Sequence, residues 1–182
     1  MERTQRGRSR MLGITLIEQI VALAVVAILA SVATPSLAGL LRRGRIQTAQ
    51  MDFLAGLRFA RAEAVMRNTR VVFCPTQDGR HCSDLSRWED GWLAGLDRDH
   101  DNQPDAAPLR IGEGHPQVFV QSSQARRHVT FRPDGTAGGS NLTLLFCNVG
   151  HTPQPLGVVV SNSGRVRGSY PDAREAAGCE AG

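Results

Sequence analysis

The chain has 182 residues, enough for one domain of about 120 residues behind a membrane helix. Its formal net charge is +4, but residues 1–13 hold Arg3, Arg6, Arg8, Arg10 and Glu2, a balance of +3, which leaves about +1 for the rest. The basic excess therefore belongs to the amino-terminal segment and does not by itself argue for nucleic acid. All 21 Lys+Arg are arginine, for which genomic base composition is the simplest account.

Residues Gly13-Ile14-Thr15-Leu16-Ile17-Glu18 open an apolar run from Ile20 to Ala33. An ordinary secretory signal is the rival reading, with Ser31-Val32-Ala33 as a small-residue cleavage site. Such a signal has no use for Glu18, and a carboxylate in lipid costs several kcal/mol unless it serves a function. The segment resembles the type IV pilin signal: a short basic leader, a glycine cleavage site and a glutamate at the fifth mature position. It departs at Ile14, where that family usually has Phe. Pro35 falls at the twenty-second mature position, where pilins often carry a kinking proline. The resemblance implies cleavage after Gly13 by a prepilin peptidase and methylation of the Ile14 amine. It also implies that Glu18 meets the amine of a neighbouring subunit during assembly.

Residues 14–33 alone span ~30 Å as a helix, enough for a hydrocarbon core. Arg42, Arg43 and Arg45 balance the leader arginines, so the positive-inside rule does not orient the segment. The leader pattern does. It places the amino terminus in the cytoplasm, a transmembrane segment over 14–41 in the inner membrane, and a periplasmic globular domain over 42–182.

The helical pattern can run to about Asn68. Beyond Pro35 it turns amphipathic, with Ile46, Ala49, Phe53, Leu54, Leu57, Ala60 and Ala64 at three- and four-residue steps. That stripe needs a sheet to cover it. Strand-like runs follow at Val71–Cys74, Trp92–Leu96, Val118–Gln121, Val129–Phe131, Leu142–Phe146 and Gly157–Val160. Turn signals separate them, among them Pro133-Asp134-Gly135 and Asn162-Ser163-Gly164. A long helix followed by consecutive strands reads as α+β with an antiparallel sheet. The tail after Tyr170 reads as loose apart from Cys179.

The four cysteines are Cys74, Cys82, Cys147 and Cys179. An even number beyond a membrane signal favours disulfides in an oxidising compartment. No CxxC occurs, so no metal site is expected from them. Of the three pairings, Cys74–Cys82 with Cys147–Cys179 is expected, because each bridge closes a loop with little other reason to stay ordered. Asp97-x-Asp99-x-Asp101-Asn102 starts like a calcium loop. It fails as an EF-hand, with Asn102 where Gly should turn the chain and Pro108 where the bidentate Glu should be. A solvated acidic loop is expected there. His81, His100, His115, His128 and His151 show no ligand spacing, and no nucleophile motif occurs. Neither an enzyme nor a cofactor is expected.

The layout resembles the GspH/FimT family of minor pilins and pseudopilins over most of the chain. The leader motif carries the resemblance, together with Cys74-Pro75, Asp78-Gly79 and Cys82, and Asp90-Gly91-Trp92 ahead of the acidic stretch. Phe131-Arg132-Pro133-Asp134-Gly135 and Cys147-Asn148 ahead of Gly164-Arg165-Val166-Arg167 complete it. It implies a pilin-like fold and other minor pilins or pseudopilins as partners. The last motif matches the Gly-Arg-x-Arg that the FimT branch uses to bind DNA. The physics is compatible: alternate residues of an extended segment share a face ~6–7 Å apart, about two phosphate steps of a strand. Arg126, Arg127 and Arg132 form a second basic group. With Tyr170 the nearest aromatic, contact to the DNA backbone without sequence preference is the expected mode. The reading is a DNA-binding minor pilin of natural transformation. The alternative is a minor tip pseudopilin of a type II secretion system.

Overall fold

A computed structural model describes residues 15–85, 87–123, 126–148 and 154–180, without the side chains of 32–36, 173 and 180. Gly13, Ile14 and the expected leader lie outside the described residues, as does His151. The chain divides into two units, Met1–Gly39 and Leu40–Gly182.

Helix α1, Leu16–Met66, begins in the first unit. Thr15 caps it: the Glu18 N–H donates to Thr15 Oγ1 at 3.3 Å, one half of a Thr-x-x-Glu capping box. The bond uses the Glu18 backbone and leaves its carboxylate uninvolved. Leu16, Ile17, Ile20, Leu23, Val26, Ile28 and Leu29 are all more than half exposed. Among the described residues no helix is long and apolar enough to cross a membrane.

In the second unit the expected stripe of α1 is the core. Ile46, Ala49, Phe53, Leu57, Ala60 and Ala64 are buried, with Leu54 half-buried against them. The helix ends in a Schellman motif. Asn68 takes a left-handed conformation (φ 46°), and the N–H groups of Asn68 and Thr69 donate to the carbonyls of Val65 and Ala64.

Among the described residues eight strands follow: β1 (Val71–Pro75), β2 (Trp92–Leu96), β3 (Arg110–Gly112), β4 (Val118–Ser122), β5 (Val129–Phe131), β6 (Leu142–Asn148), β7 (Leu156–Val160) and β8 (Val166–Ser169). They form two antiparallel sheets, ordered β3-β2-β1-β5 and β4-β6-β7-β8. Phe53 joins the helix to both. Its ring lies 6.2 Å from Phe73 and 6.3 Å from Trp92 in the first sheet, and 5.2 Å from Phe146 in the second. Trp92 rests on Gly56 of the helix and Gly112 of β3, where any side chain would overlap its indole, and its Nε1–H donates to Asp52 at 2.7 Å.

Six strands coincide with the expected runs to within two residues, and β3 and β8 are additional. Both are short edge strands: β3 has one apolar residue, and β8 is half arginine and glycine. Both disulfides form as the loops require, Cys74–Cys82 and Cys147–Cys179.

Two expectations are corrected. The tail is ordered as a short helix, α2 (Ala173–Ala176), and a 3-10 turn to Glu180. Asp172 caps it, accepting from the N–H groups of Arg174 (2.9 Å) and Glu175 (2.8 Å), and Cys179 pins its end to β6. The acidic loop, expected to be solvated, is partly internal. Asp97 is fully buried and pairs with Arg70 at 2.9 Å. Arg70 also donates to Asn102 Oδ1 at 2.6 Å, and the Asn102 N–H donates back to Asp97. Burial pushes the Asp97 carboxyl above the ordinary range, against the pull of Arg70. Carboxylate oxygens of Asp97, Asp99 and Asp101 lie within 4.8 Å of one another, with Arg70 as the counter-charge of the buried member.

Candidate nucleic-acid interface

The hairpin joining β7 to β8 sets the geometry of Gly164-Arg165-Val166-Arg167. Val160 pairs with Val166, leaving a loop closed by Ser161 N–H to Arg165 O (3.1 Å) and Gly164 N–H to Ser161 O (2.8 Å). The last loop residue must turn left-handed, and Gly164 does so at φ +75°. It is needed for a second reason: a Cβ there would overlap the carbonyl oxygen of Gly135. The two motifs Phe131–Gly135 and Gly164–Arg167 therefore pack backbone to backbone. Asn162 fastens the same loops, its carbonyl accepting from Ala137 (2.9 Å) and its side-chain oxygen from Gly139 (3.3 Å).

Beyond the turn the strand alternates. Arg165 and Arg167 are exposed, and Val166 between them enters the core. Arg167 stands opposite Val159 on the outermost strand of its sheet. Arg165 instead borders a groove of about 500 Å³. Its walls include Arg58 and Arg61 from α1, and its apolar floor is Ala62, Val65, Met66 and Val166. Arg61 is held in place by the bond from its Nε to the Gly135 carbonyl, at 2.9 Å. Among the described residues no carboxylate forms an ion pair with Arg58, Arg61, Arg165 or Arg167.

The second basic group is divided. Arg132 follows β5 and is exposed, lying over Gly138, whose carbonyl accepts from its Nη2 at 3.4 Å. Arg126 and Arg127 precede β5, at its opposite end. Arg127 is exposed. Arg126 is half-buried, and its carbonyl accepts from Trp88 Nε1 (3.2 Å) and Ser122 Oγ (2.7 Å). Next to it, burial and then the Arg70 charge hold the His128 pKa below the ordinary imidazole range, so the ring adds no charge at neutral pH. The structure thus places Arg132 in the loop that packs on Gly164, and Arg126 and Arg127 elsewhere. Sequence reasoning missed Arg58 and Arg61. Their three-residue spacing on the helix was the available signal.

The family model described as type II transport protein GspH matches residues 49–164, which includes Arg58 and Arg61 and stops one residue before Arg165. Among solved structures, the type IV minor pilin FimU of Pseudomonas aeruginosa is similar in two crystal forms. One is 24% identical over 72% of this chain and 92% of that chain, with a TM-score of 0.58. The other is 25% identical over 68% and 91%, with a TM-score of 0.56. The minor pseudopilin EpsH from the type 2 secretion system of Vibrio cholerae is 15% identical over 70% and 98%, at a TM-score of 0.43. No protein of curated function matches. With well over half its length matched by the family model, and with a helix-on-antiparallel-sheet fold shared with FimU, the chain belongs to the GspH family, as a GspH/FimT-type minor pilin or pseudopilin.

Proposed function

We propose that this chain is a minor type IV pilin that binds DNA without sequence preference through Arg165 and Arg167, and so supports DNA uptake in natural transformation. One observation carries the reading. The two guanidiniums flank a buried valine on an outermost strand, exposed and without a carboxylate partner among the described residues. Guanidinium forks of this kind suit phosphate oxygens. Arg132 extends the basic surface on the adjoining loop, and Arg126 and Arg127 supply weaker, more distant charge. The test is a mobility shift with the full chain in mild detergent. Affinity should fall steeply with salt and vary little with DNA sequence. An absence of binding at low salt, or an Arg165→Gln, Arg167→Gln double variant that binds like the parent, would reject it.

The match to a type II transport protein family favours a second reading, a tip pseudopilin of a type II secretion system. Such a protein would bind sibling pseudopilins and no DNA, so the same mobility shift separates the two.

Either role needs the same processing. Residues 1–13 are a leader removed by a prepilin peptidase, Ile14 becomes the methylated amino terminus, and 14–41 span the inner membrane. The domain over 42–182 then faces the periplasm until it enters a fibre. The exposed apolar side chains of the first unit support a lipid-facing segment. The two disulfides support an oxidising compartment. Mass spectrometry should find a chain beginning at Ile14, and a start after Ala33 would reject the assignment. Glu18→Ala should leave the protein in the membrane but out of fibres.

A further inference from the structure

We infer that DNA does not stop at β8. The groove between α1 and the start of β8 holds one further unit of the strand, its phosphate on Arg58, Arg61 and Arg165 and its deoxyribose on the floor at Val65 and Met66. The inference rests on the DNA-binding reading and extends its contact surface onto the helix.

Three features of the groove specify this occupant. The first is orientation. Arg58 and Arg61 lie three residues apart on one helix face. The Arg61 Nε is already engaged by the Gly135 carbonyl, and its terminal nitrogens have no acceptor among the described residues. A fork fixed at one corner is preorganised for an external oxygen, which lowers the ordering cost of binding. The second is charge. No acid lines the groove. Glu63, on the neighbouring face of the helix, is buried and paired with Arg67, and Asp134, an ionised carboxylate held by the Thr136 N–H and hydroxyl, lies beside Arg132 and outside the groove lining. Three guanidiniums therefore face the groove with no carboxylate paired to them among the described residues. The third is the floor. Val65 is 50% and Met66 71% exposed, directly beside these cations. A free inorganic anion has no use for that apolar surface, whereas a backbone unit pairs an anionic phosphate with a sugar lacking the 2′-hydroxyl. The volume of about 500 Å³ is that of a small-ligand site and suits one such unit.

The experiment titrates duplex DNA against the full chain in detergent over a salt series, for the parent, Arg58→Gln, Met66→Gln and the Arg165→Gln, Arg167→Gln double variant. Circular dichroism checks that each folds. Arg58→Gln should make the salt slope shallower by about one unit. Met66→Gln should weaken binding while leaving the slope unchanged, because it removes apolar contact and no phosphate contact. If the double variant loses binding while Arg58→Gln and Met66→Gln match the parent, the groove is not part of the interface and the β8 reading stands alone. If the parent binds no DNA, both readings fail. In that case, binding of a short oligo-aspartate peptide that depends on Arg58 would assign the groove to an acidic segment of a partner pilin instead.

Discussion

Two arginine-bearing regions of the second unit handle charge in opposite ways. At Arg70 the charge is settled inside the fold, by buried Asp97 at 2.9 Å and by Asn102 at 2.6 Å. At Arg58, Arg61, Arg165 and Arg167 the guanidiniums are exposed, that of Arg61 is held by the Gly135 carbonyl, and among the described residues no carboxylate pairs with them. The first arrangement holds two chain segments together and has nothing left for a ligand. The second, apart from the bond of Arg61 to Gly135, leaves its charge without an ion pair among the described residues. The same residue type is ion-paired inside the fold in one place and exposed without a carboxylate among the described residues in the other, which is where we propose DNA binds.

The contrast breaks most sharply at Asp97. Asp97→Ala leaves the Arg70 cation in a largely buried site without its counter-ion, and should cost about 3 kcal/mol of stability. Urea denaturation would measure it, and any variant that remains folded should keep its DNA affinity. Gly164→Ala tests the link between backbone and groove. An alanine there meets both the left-handed backbone and the Gly135 carbonyl. The loss should exceed about 1 kcal/mol, and DNA binding should weaken with it. Replacing Arg165 and Arg167 together by Gln should change stability by no more than about 0.5 kcal/mol while removing most DNA affinity. A large loss of stability in that variant would show these side chains to be structural, like Arg70.

The smallest effect concerns pH. Hydrogen bonds from the Thr136 N–H and hydroxyl hold the Asp134 carboxyl below the ordinary range. A lowered native pKa gives stability that is present above the unfolded value, about 3.9, and is lost as pH falls through the native one. Asp97 runs the other way. Its raised native pKa gives a contribution that is full below the ordinary range and is lost as pH rises through it. Thermal melts between about pH 2 and pH 5 should therefore show a shallower acid loss for Asp134→Asn than for the parent. An unchanged profile would show that the turn contributes nothing to acid sensitivity.

Much of the fold is legible in local sequence because its causes are local. The stripe from Ile46 to Ala64 has helical period, and six strands are β-branched or aromatic runs between turn residues. Gly164 reads as a turn residue for the same reason. The tail helix was legible too, since Asp172-x-x-Glu175 is a capping signature that the small, polar composition concealed. What local pattern does not contain is the partner across space. β3 and β8 are strands because neighbours supply their hydrogen bonds, not because Arg110–Gly112 or Val166–Ser169 favour extension. Asp97 is buried because Arg70, far back in the chain, meets it there. Arg58 and Arg61 join Arg165 because Val166 draws β8 toward α1 and Gly164 admits the Gly135 carbonyl. Period and turn chemistry thus determined the helical stripe and six of the strands from the sequence alone. Only the packing of distant segments decided which charges are paired inside the fold and which stay exposed, since that depends on distances the tertiary structure sets.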